Sequence, residues 1–335
     1  MRGAIRRLDG NERFREIAPA ENQMGISTTD GAGALESTTE SVNVPHDVNP
    51  HLPYLPDEPL ITIEPTRRWL PTNFGELWTY RELLYFLTWR DIKVRFQQTL
   101  LGIAWVVMQP LLMTLVFSVF LGILVRVPTG GLPYPLLIFT GLLPWNLFCS
   151  GVSTAAYSLM GNANLITKVY FPRVLVPAAS IAARLVDFAI SFAILGGLFA
   201  YYHLVRHYEI RLSWNLSAIP FLIALTTLLA FGVGVLVSAL NVKYRDVGVA
   251  LPVVMQLWMF VSPVIYSSVV VLPGKWQRLY ALNPLVGVIE GFRVALLGGH
   301  FNRFAIAVSA GFTIAMVIIS AYVFRRFEKD FADCV

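Results

Sequence analysis

Asn73–Pro110 reads NFGELWTYRELLYFLTWRDIKVRFQQTLLGIAWVVMQP, a charged amphipathic segment running straight into a charge-free apolar one. Asn73 with Glu76 three residues later fits a helix-start capping pair. Leu77, Tyr80, Leu83, Leu84 and Leu87 then fall on one side of a 3.6-residue helix. Phe86 and Trp89 land on the polar side, where the headgroup layer of a bilayer tolerates aromatic rings. Arg90, Lys93 and Arg95 place positive charge beside anionic lipid. After Arg95 no charged residue occurs until Arg126, long enough for the roughly 20 apolar residues a crossing helix needs. The seam marks a membrane surface meeting a membrane interior.

The rest of the chain agrees. Over 335 residues, 56% are hydrophobic and 14% charged, and the mean hydropathy is +0.60, too apolar for a soluble domain with a solvated surface. The net charge of +5 does not point to nucleic acid, because Lys and Arg flank apolar runs instead of forming a basic patch with interleaved aromatics. Cys149 and Cys334 make no disulfide framework. The opening MRGAIRRLDGNERF has no apolar core behind its charges, so no cleavable signal peptide is expected.

Six apolar runs, Phe96 to Val125, Val127 to Thr167, Val174 to Val205, Leu212 to Val242, Val247 to Gly274 and Phe304 to Phe324, predict an all-α polytopic membrane protein with six crossings. The second opens with the turn string PTGGLPYP, so its helix should begin near Pro135 and end near Met160. An even number of crossings puts both termini on one side, and the Lys and Arg excess makes that side cytoplasmic. Residues 1–56, polar, small and proline-punctuated, are expected to be a disordered cytoplasmic tail. Residues 57–98 form a cytoplasmic segment with the amphipathic interfacial helix, and residues 99–335 the six-helix domain. ITIEP at Ile61 to Pro65 could form a short strand.

Val271 to His300, VLPGKWQRLYALNPLVGVIEGFRVALLGGH, is apolar but broken by Pro273, Gly274 and Pro284 into pieces too short to cross. Asn283 suits an N-cap with Pro284 at the first helical position, and Gly298 with Gly299 closes the helix. Leu285, Val288, Ile289, Phe292 and Leu296 share one face, with Glu290 and Arg293 paired away from it. A re-entrant hairpin on the non-cytoplasmic side fits this pattern, and so does an amphipathic surface helix.

Chemistry of other kinds finds little support. The sole Gly-Lys pair, Gly274-Lys275, is followed by Trp276, so the chain has no phosphate loop, and ATP-driven work needs a partner. His203 and His207 have helical metal spacing but no third ligand nearby, so no metal site is expected. No Ser-His-Asp or paired-carboxylate constellation can be assembled. Arg184 and Asp187 differ, because ionised groups at bilayer depth need a partner or water. Their spacing allows an intramembrane ion pair, structural or lining a wet pathway. Gln109-Pro110, Pro144-Trp145 and Ser262-Pro263 mark breaks inside apolar runs.

The strings WRDIKVRFQQTLLGIAWVVMQPLL, LITKVYFPRVLVP at Leu165 to Pro177, SPVIYS at Ser262 to Ser267, LNPL at Leu282 to Leu285 and GFR at Gly291 to Arg293 resemble the permease subunit of bacterial polysaccharide and polyol-phosphate ABC exporters. The resemblance runs from about Ile61 to the end; the long N-terminal tail departs from it. It implies a homodimer working with two copies of a separate subunit that binds ATP and Mg, with no cofactor on this chain. The cargo it implies is lipid-linked O-antigen, capsule or teichoic-acid chains, moved across the bacterial inner membrane.

It further implies an ATPase-coupling segment between the second and third membrane helices: Leu165, Ile166, Thr167, Lys168, Val169, Tyr170, Phe171, Pro172 and Arg173. Apolar residues there suggest a partner surface, and Lys168 and Arg173 could pair with it or serve as topological anchors. The resemblance also makes the short helices before the last span an outer gate, carried here by Trp276, Tyr280, Asn283, Pro284, Glu290 and Arg293. A glycan has polar rims and apolar faces, so its path should offer aromatic rings and scattered hydrogen-bonding groups. The candidates are Trp105, Gln109, Trp145, Phe148, Tyr157, Gln256, Trp258, Phe260 and Tyr266, although packing and lipid-facing rings also occur in any such helix. Other readings are a permease for a drug or small lipid and a membrane-embedded transferase, the latter short of catalytic groups.

The missing phosphate loop generates a direct expectation: the purified chain alone hydrolyses no ATP. Phosphate release above that of an inactive control preparation would contradict it.

Overall fold

The computed structural model describes residues 79–97, 102–126, 128, 129, 131–169, 171–207, 214–267 and 275–328. The tail at 1–56, the strand at 61–65, the Asn73/Glu76 cap, Leu77, Tyr170 and the Pro273–Gly274 break lie outside them. The described residues are helical, without strands.

Helix α1 (Arg81–Gln97) is the predicted amphipathic segment. Tyr80, Leu83 and Leu84 pack onto a core cluster and Leu87 is buried, while Tyr85, Phe86 and Trp89 are exposed, as the 3.6 period requires. Helix α2 (Gly102–Val119) continues through a π-helical stretch, Phe120–Val125, and stops at Arg126 in the left-handed region with φ 55°. Helix α3 (Tyr134–Gly161) begins and ends within a residue of expectation. The short α4 (Ala163–Lys168) leads to α5 (Leu175–Arg206). A 3-10 turn, Trp214–Ala218, precedes α6 (Ile219–Lys243). Then follow α7 (Asp246–Val261), α8 (Lys275–Tyr280), α9 (Pro284–Leu297) and α10 (Arg303–Glu328).

Among the described residues five helices are long and apolar enough to cross a bilayer: α2 with its extension, α3, α5, the 3-10 turn with α6, and α10. The sixth expected run, Val247 to Gly274, is described only as far as residue 267. Helix α7 stops after 16 residues, because Ser262 precedes Pro263 and adopts extended dihedrals of −102° and 152°. A residue before proline is pushed out of the helical region, so the chain turns at that depth.

Helix α3 is the hub. It packs against α2, α5, α6, α7 and α9, and most of its length is buried. Close approach depends on glycines at two places. A Cβ at Gly141 of α3 would collide with the Val264 carbonyl and the Arg293 guanidinium, and one at Gly287 of α9 would collide with the Ala305 carbonyl and Ser309 Oγ of α10.

Helix α1 is bound to α5 by charge as well as by apolar contact. Arg95 pairs with Asp187, which also accepts from Arg184 Nη1 at 3.2 Å. One turn earlier, Ser180 Oγ donates to Asp91 Oδ2 at 3.0 Å. Sequence spacing found the Arg184–Asp187 half. Arg95, read as a headgroup contact, is the second cation on the same carboxylate. Replacing Asp187 by Asn should therefore leave two guanidiniums facing each other and cost about 3 kcal/mol of stability. Asp91→Asn, which keeps a hydrogen-bond acceptor for Ser180, should cost much less. Thermal unfolding of the two variants in detergent measures this, and equal shifts would contradict the shared-carboxylate account.

Candidate functional site

One end of the bundle gathers α1, the 162–174 connection and the last turn of α10. Ile166 and Phe171 are buried there with Leu159, Leu175, Val176, Val235, Ala239, Val242 and Phe324. This corrects the expectation that Phe171 and Ile166 face outward: their rings and branches complete a core between four helices. Leu165 is partly buried beside them, and Pro172 is half-buried. Thr167, Lys168 and Val169 are exposed, with Val169 at 52%. Arg173 is turned inward too, its Nη1 donating to the Glu328 carbonyl at 2.6 Å. Helix C-termini leave carbonyls unpaired, and a guanidinium is a good partner for one. Nearby, Lys243 Nζ lies 4.6 Å from the centre of the Phe327 ring, a cation–π contact with the same turn.

A second polar knot, near the same end, was not foreseen. Asn241 Nδ2 donates to the Ala156 carbonyl at 2.9 Å, and Tyr157 Oη donates to the Gly248 carbonyl at 2.6 Å. A Cβ at Gly248 would crowd Asn241 Oδ1 and the Tyr157 ring, so α3, α6 and α7 meet closely here. Asn241, a lone amide at the end of the run Leu212 to Val242, was the sequence signal for it. Tyr157, a path candidate, is used as a structural donor.

The other end carries the break after α7. Asn283 caps α9 as expected, its Oδ1 accepting from Leu285 N at 3.1 Å. The same oxygen accepts from Trp258 Nε1 at 3.2 Å, and Asn283 Nδ2 donates to Ser262 Oγ at 3.0 Å and to the Val261 carbonyl at 3.4 Å. One amide thus binds the start of α9 to the end of α7. Arg293 binds them again, with Nη2 donating to the Val264 carbonyl at 2.8 Å and Nη1 to the Tyr266 carbonyl at 2.7 Å. The Tyr266 and Tyr280 hydroxyls lie 2.7 Å apart. Burial, and then that hydroxyl, push the Tyr280 phenol well above its ordinary ionisation range, so it stays protonated.

Glu290 and Arg293 do pair, at 3.3 Å, but they do not form a solvated face. Arg293 is buried, Glu290 nearly so, and Pro284 through Ile289 are all buried, so α9 is a core helix and not an amphipathic one on the surface. Trp276 on α8 is exposed. A small cavity of about 40 Å³ lies under this end, bordered by Gln277, Glu290, His300 and Asn302.

The aromatic path candidates divide into two sets. Trp145, Phe148 and Trp258 form a column, with ring centroids 6.1 Å and 5.3 Å apart, that rises through the core to Asn283. Trp145 and Phe148 are buried among apolar side chains in the single chain, so they line no open path within it. Trp105 and Gln109 on α2, and Gln256 and Phe260 on α7, are exposed.

Five helices long and apolar enough to cross a bilayer, an interrupted helix locked by side chains and polar latches at two ends of the bundle mark a polytopic membrane protein. Residues 82–297 match the ABC-2 type transporter family, and the chain belongs to that family. It is similar to an O-antigen export system permease protein, RfbA, of Klebsiella pneumoniae, 26% identical over 261 residues that cover 78% of this chain and 96% of that protein. An RfbA of Myxococcus xanthus is 26% identical over 265 residues, 78% and 98% of the two chains. The polysialic acid transport protein KpsM of Escherichia coli is 23% identical over 249 residues, 72% and 91%.

Arg293 holds two backbone carbonyls and a carboxylate. Arg293→Met should therefore destabilise the purified protein by about 3 kcal/mol, and Glu290→Gln by about 1 kcal/mol, since an unpaired buried polar group costs about 1–3 kcal/mol. Arg293→Lys should fall between them, because a point charge cannot reproduce the fork. Melting temperatures in detergent give the order, and Glu290→Gln at or beyond the loss of Arg293→Met would contradict it.

Proposed function

We propose that this chain is the membrane-spanning permease of an ATP-driven exporter of lipid-linked polysaccharide, of the O-antigen kind, in the bacterial inner membrane. It works as a homodimer with two copies of a separate subunit that binds ATP and Mg, and both its termini are cytoplasmic. The names of its relatives, which export O-antigen or transport polysialic acid, support the cargo class.

The observation that carries the reading is the pair of exposed glutamines. Gln109 and Gln256 sit inside apolar helices, α2 and α7, whose outward faces the rest of the chain leaves uncovered. An exposed amide inside hydrocarbon is costly, so a face that carries one is better matched to a partner or to a polar cargo than to lipid tails. With Trp105 and Phe260 beside them, the two faces offer the ring-plus-amide chemistry a sugar chain needs. The path then runs between two copies. Thr167, Lys168 and Val169 are the exposed part of the segment that receives the ATPase stroke, and Phe171 supports it from within. The latched break between α7 and α9 is the outer gate.

In a strain whose own permease gene is deleted, the parent chain with its ATP-binding subunit should restore surface polysaccharide. Gln109→Leu and Gln256→Leu, which make the faces more lipid-like, should insert normally and lower surface polysaccharide by about tenfold together. Export at the parent level by the double variant would remove the carrying observation. A thiol at position 276 should react with an impermeant reagent added from outside; reaction only from the cytoplasm would overturn the topology.

A further inference from the structure

Helix α10 touches both ends of the mechanism, and its two contacts are of a directed kind. At the cytoplasmic end its last turn is gripped by the coupling segment: Arg173 Nη1 donates to the Glu328 carbonyl at 2.6 Å, and Phe324 is buried in one cluster with Ile166 and Phe171. At the other end its first turns hold the gate helix. Ser309 Oγ, fully buried, shares its one proton between the Pro284 carbonyl at 2.5 Å and the Ala305 carbonyl of its own helix at 2.9 Å, and Gly287 lies so close that a Cβ would meet that same Ala305 carbonyl. From Ala305 to Phe324 is about 28 Å at 1.5 Å per residue, nearly the full depth of a bilayer.

Pro110 and Pro144 lie inside α2 and α3, whereas α10, like α5 and α6 beyond their first turns, has no interior proline, and its one glycine is Gly311. Proline removes a ladder hydrogen bond and bends a helix, so α10 keeps a continuous ladder that α2 and α3 lack. One face of α10 packs against α6, where Gly232 lies against the backbone of Met316 and Val317, and Ile314 and Ile318 face outward with no core contact. Helices α5 and α6 also reach α9, but through apolar packing, Phe188 against Phe292 and Leu222 against Gly291. Apolar packing of that sort can slip, whereas a hydrogen bond to a backbone carbonyl at each end fixes axial position.

We propose that α10 is the connecting rod of the transporter: motion of the coupling segment is carried by Arg173 along the stiff helix to Ser309, which moves Pro284 and the gate helix α9. Arg173 and Ser309 are positioning residues, neither of which needs to touch cargo. The proposal rests on the exporter reading above and assigns the route of its stroke. Arg173 thereby acts inside the chain rather than on the rim of the ATPase.

The test uses the full complex with its ATP-binding subunit, in lipid nanodiscs. Cys149 and Cys334 are replaced by Ser, and spin labels are placed at the exposed positions Trp214→Cys and Trp276→Cys, one before α6 and one on α8. Their distance is read with and without a non-hydrolysable ATP analogue. The parent should show a nucleotide-dependent shift. The pair Ile314→Gly with Ile318→Gly softens α10 without touching a packed residue, while Ile314→Ala with Ile318→Ala removes the same side chains and keeps the helix stiff.

The rod predicts that the Gly pair loses most of the shift, that the Ala pair keeps it, and that export falls about fivefold to tenfold in the Gly pair alone while ATP hydrolysis persists. Arg173→Met should behave as the Gly pair does, with Arg173→Lys restoring most of the shift. A full shift in the Gly pair, or equal loss in the Gly and Ala pairs, overturns the rod. If Arg173→Met fails to assemble, the Gly and Ala comparison decides by itself. A parent complex without any nucleotide-dependent shift would take down the exporter reading itself, and the rod with it.

Discussion

A backbone carbonyl released inside a membrane protein has no water to turn to, and the end of α7 depends on how that demand is met. Pro263 stops the helix and Ser262 is driven extended, which exposes the carbonyls of Val261, Val264 and Tyr266. Two side chains of the next helix answer them. Arg293 takes the last two and Asn283 the first. Because both donors come from α9, the break and the helix that follows it cannot be placed independently. The interruption that ends α7 is thus also what fixes α9 beside it. Gly141 then lets α3 come up against the same carbonyl, so the hub helix, the break and α9 meet at one point.

The end where α1, the 162–174 connection and α10 meet uses the opposite chemistry. Its order comes from an apolar cluster, and the polar groups are arranged around the outside. Phe171, Ile166 and Phe324 are packed away, while Arg173 and Lys243 attend to the last turn of α10. Apolar clusters tolerate small displacements better than directed hydrogen bonds do. Asp187 adds a fixed point, since it holds Arg95 of the interfacial helix and Arg184 of its own helix at once. The interfacial helix is therefore attached to the bundle by charge at one end and by Tyr80, Leu83 and Leu84 at the other.

Hydrophobic periodicity made the helices legible, since it depends on local spacing alone. Helix α3 came out within a residue at each end, and the capping of α9 by Asn283 followed from residue types next to each other in the chain. Burial was less legible, because it depends on which elements meet. Phe171 was taken for an exposed residue since its segment is a connection between helices. Nothing local shows that α3, α5, α6 and α10 converge on it. Arg293 was placed on a polar face by the same logic, although a buried arginine with three acceptors gives the same sequence pattern as a solvated one. The Arg95–Asp187 pair spans 92 residues and could not be read from spacing. Lone polar residues inside apolar runs, such as Asn241 and Ser309, were the available signals. Each proved to be a hydrogen bond between helices.

Proline placement orders these elements by stiffness. Pro110 and Pro144 lie within α2 and α3, Pro252 lies within α7, and Pro263 ends it. Helices bordering a path that must widen gain from such soft points, because a kink concentrates bending at a chosen depth. Helix α10 has no proline along its length. Its small residues, Ala305, Ser309 and Thr313, are buried along one side, so the helix can lie close to α6 and α9 without bulky knobs to hold it in register. A smooth side, an unbroken ladder and a hydrogen bond at each end are the properties of an element that moves as one body. The proline-containing helices α2, α3 and α7 each lack a ladder bond that α10 keeps.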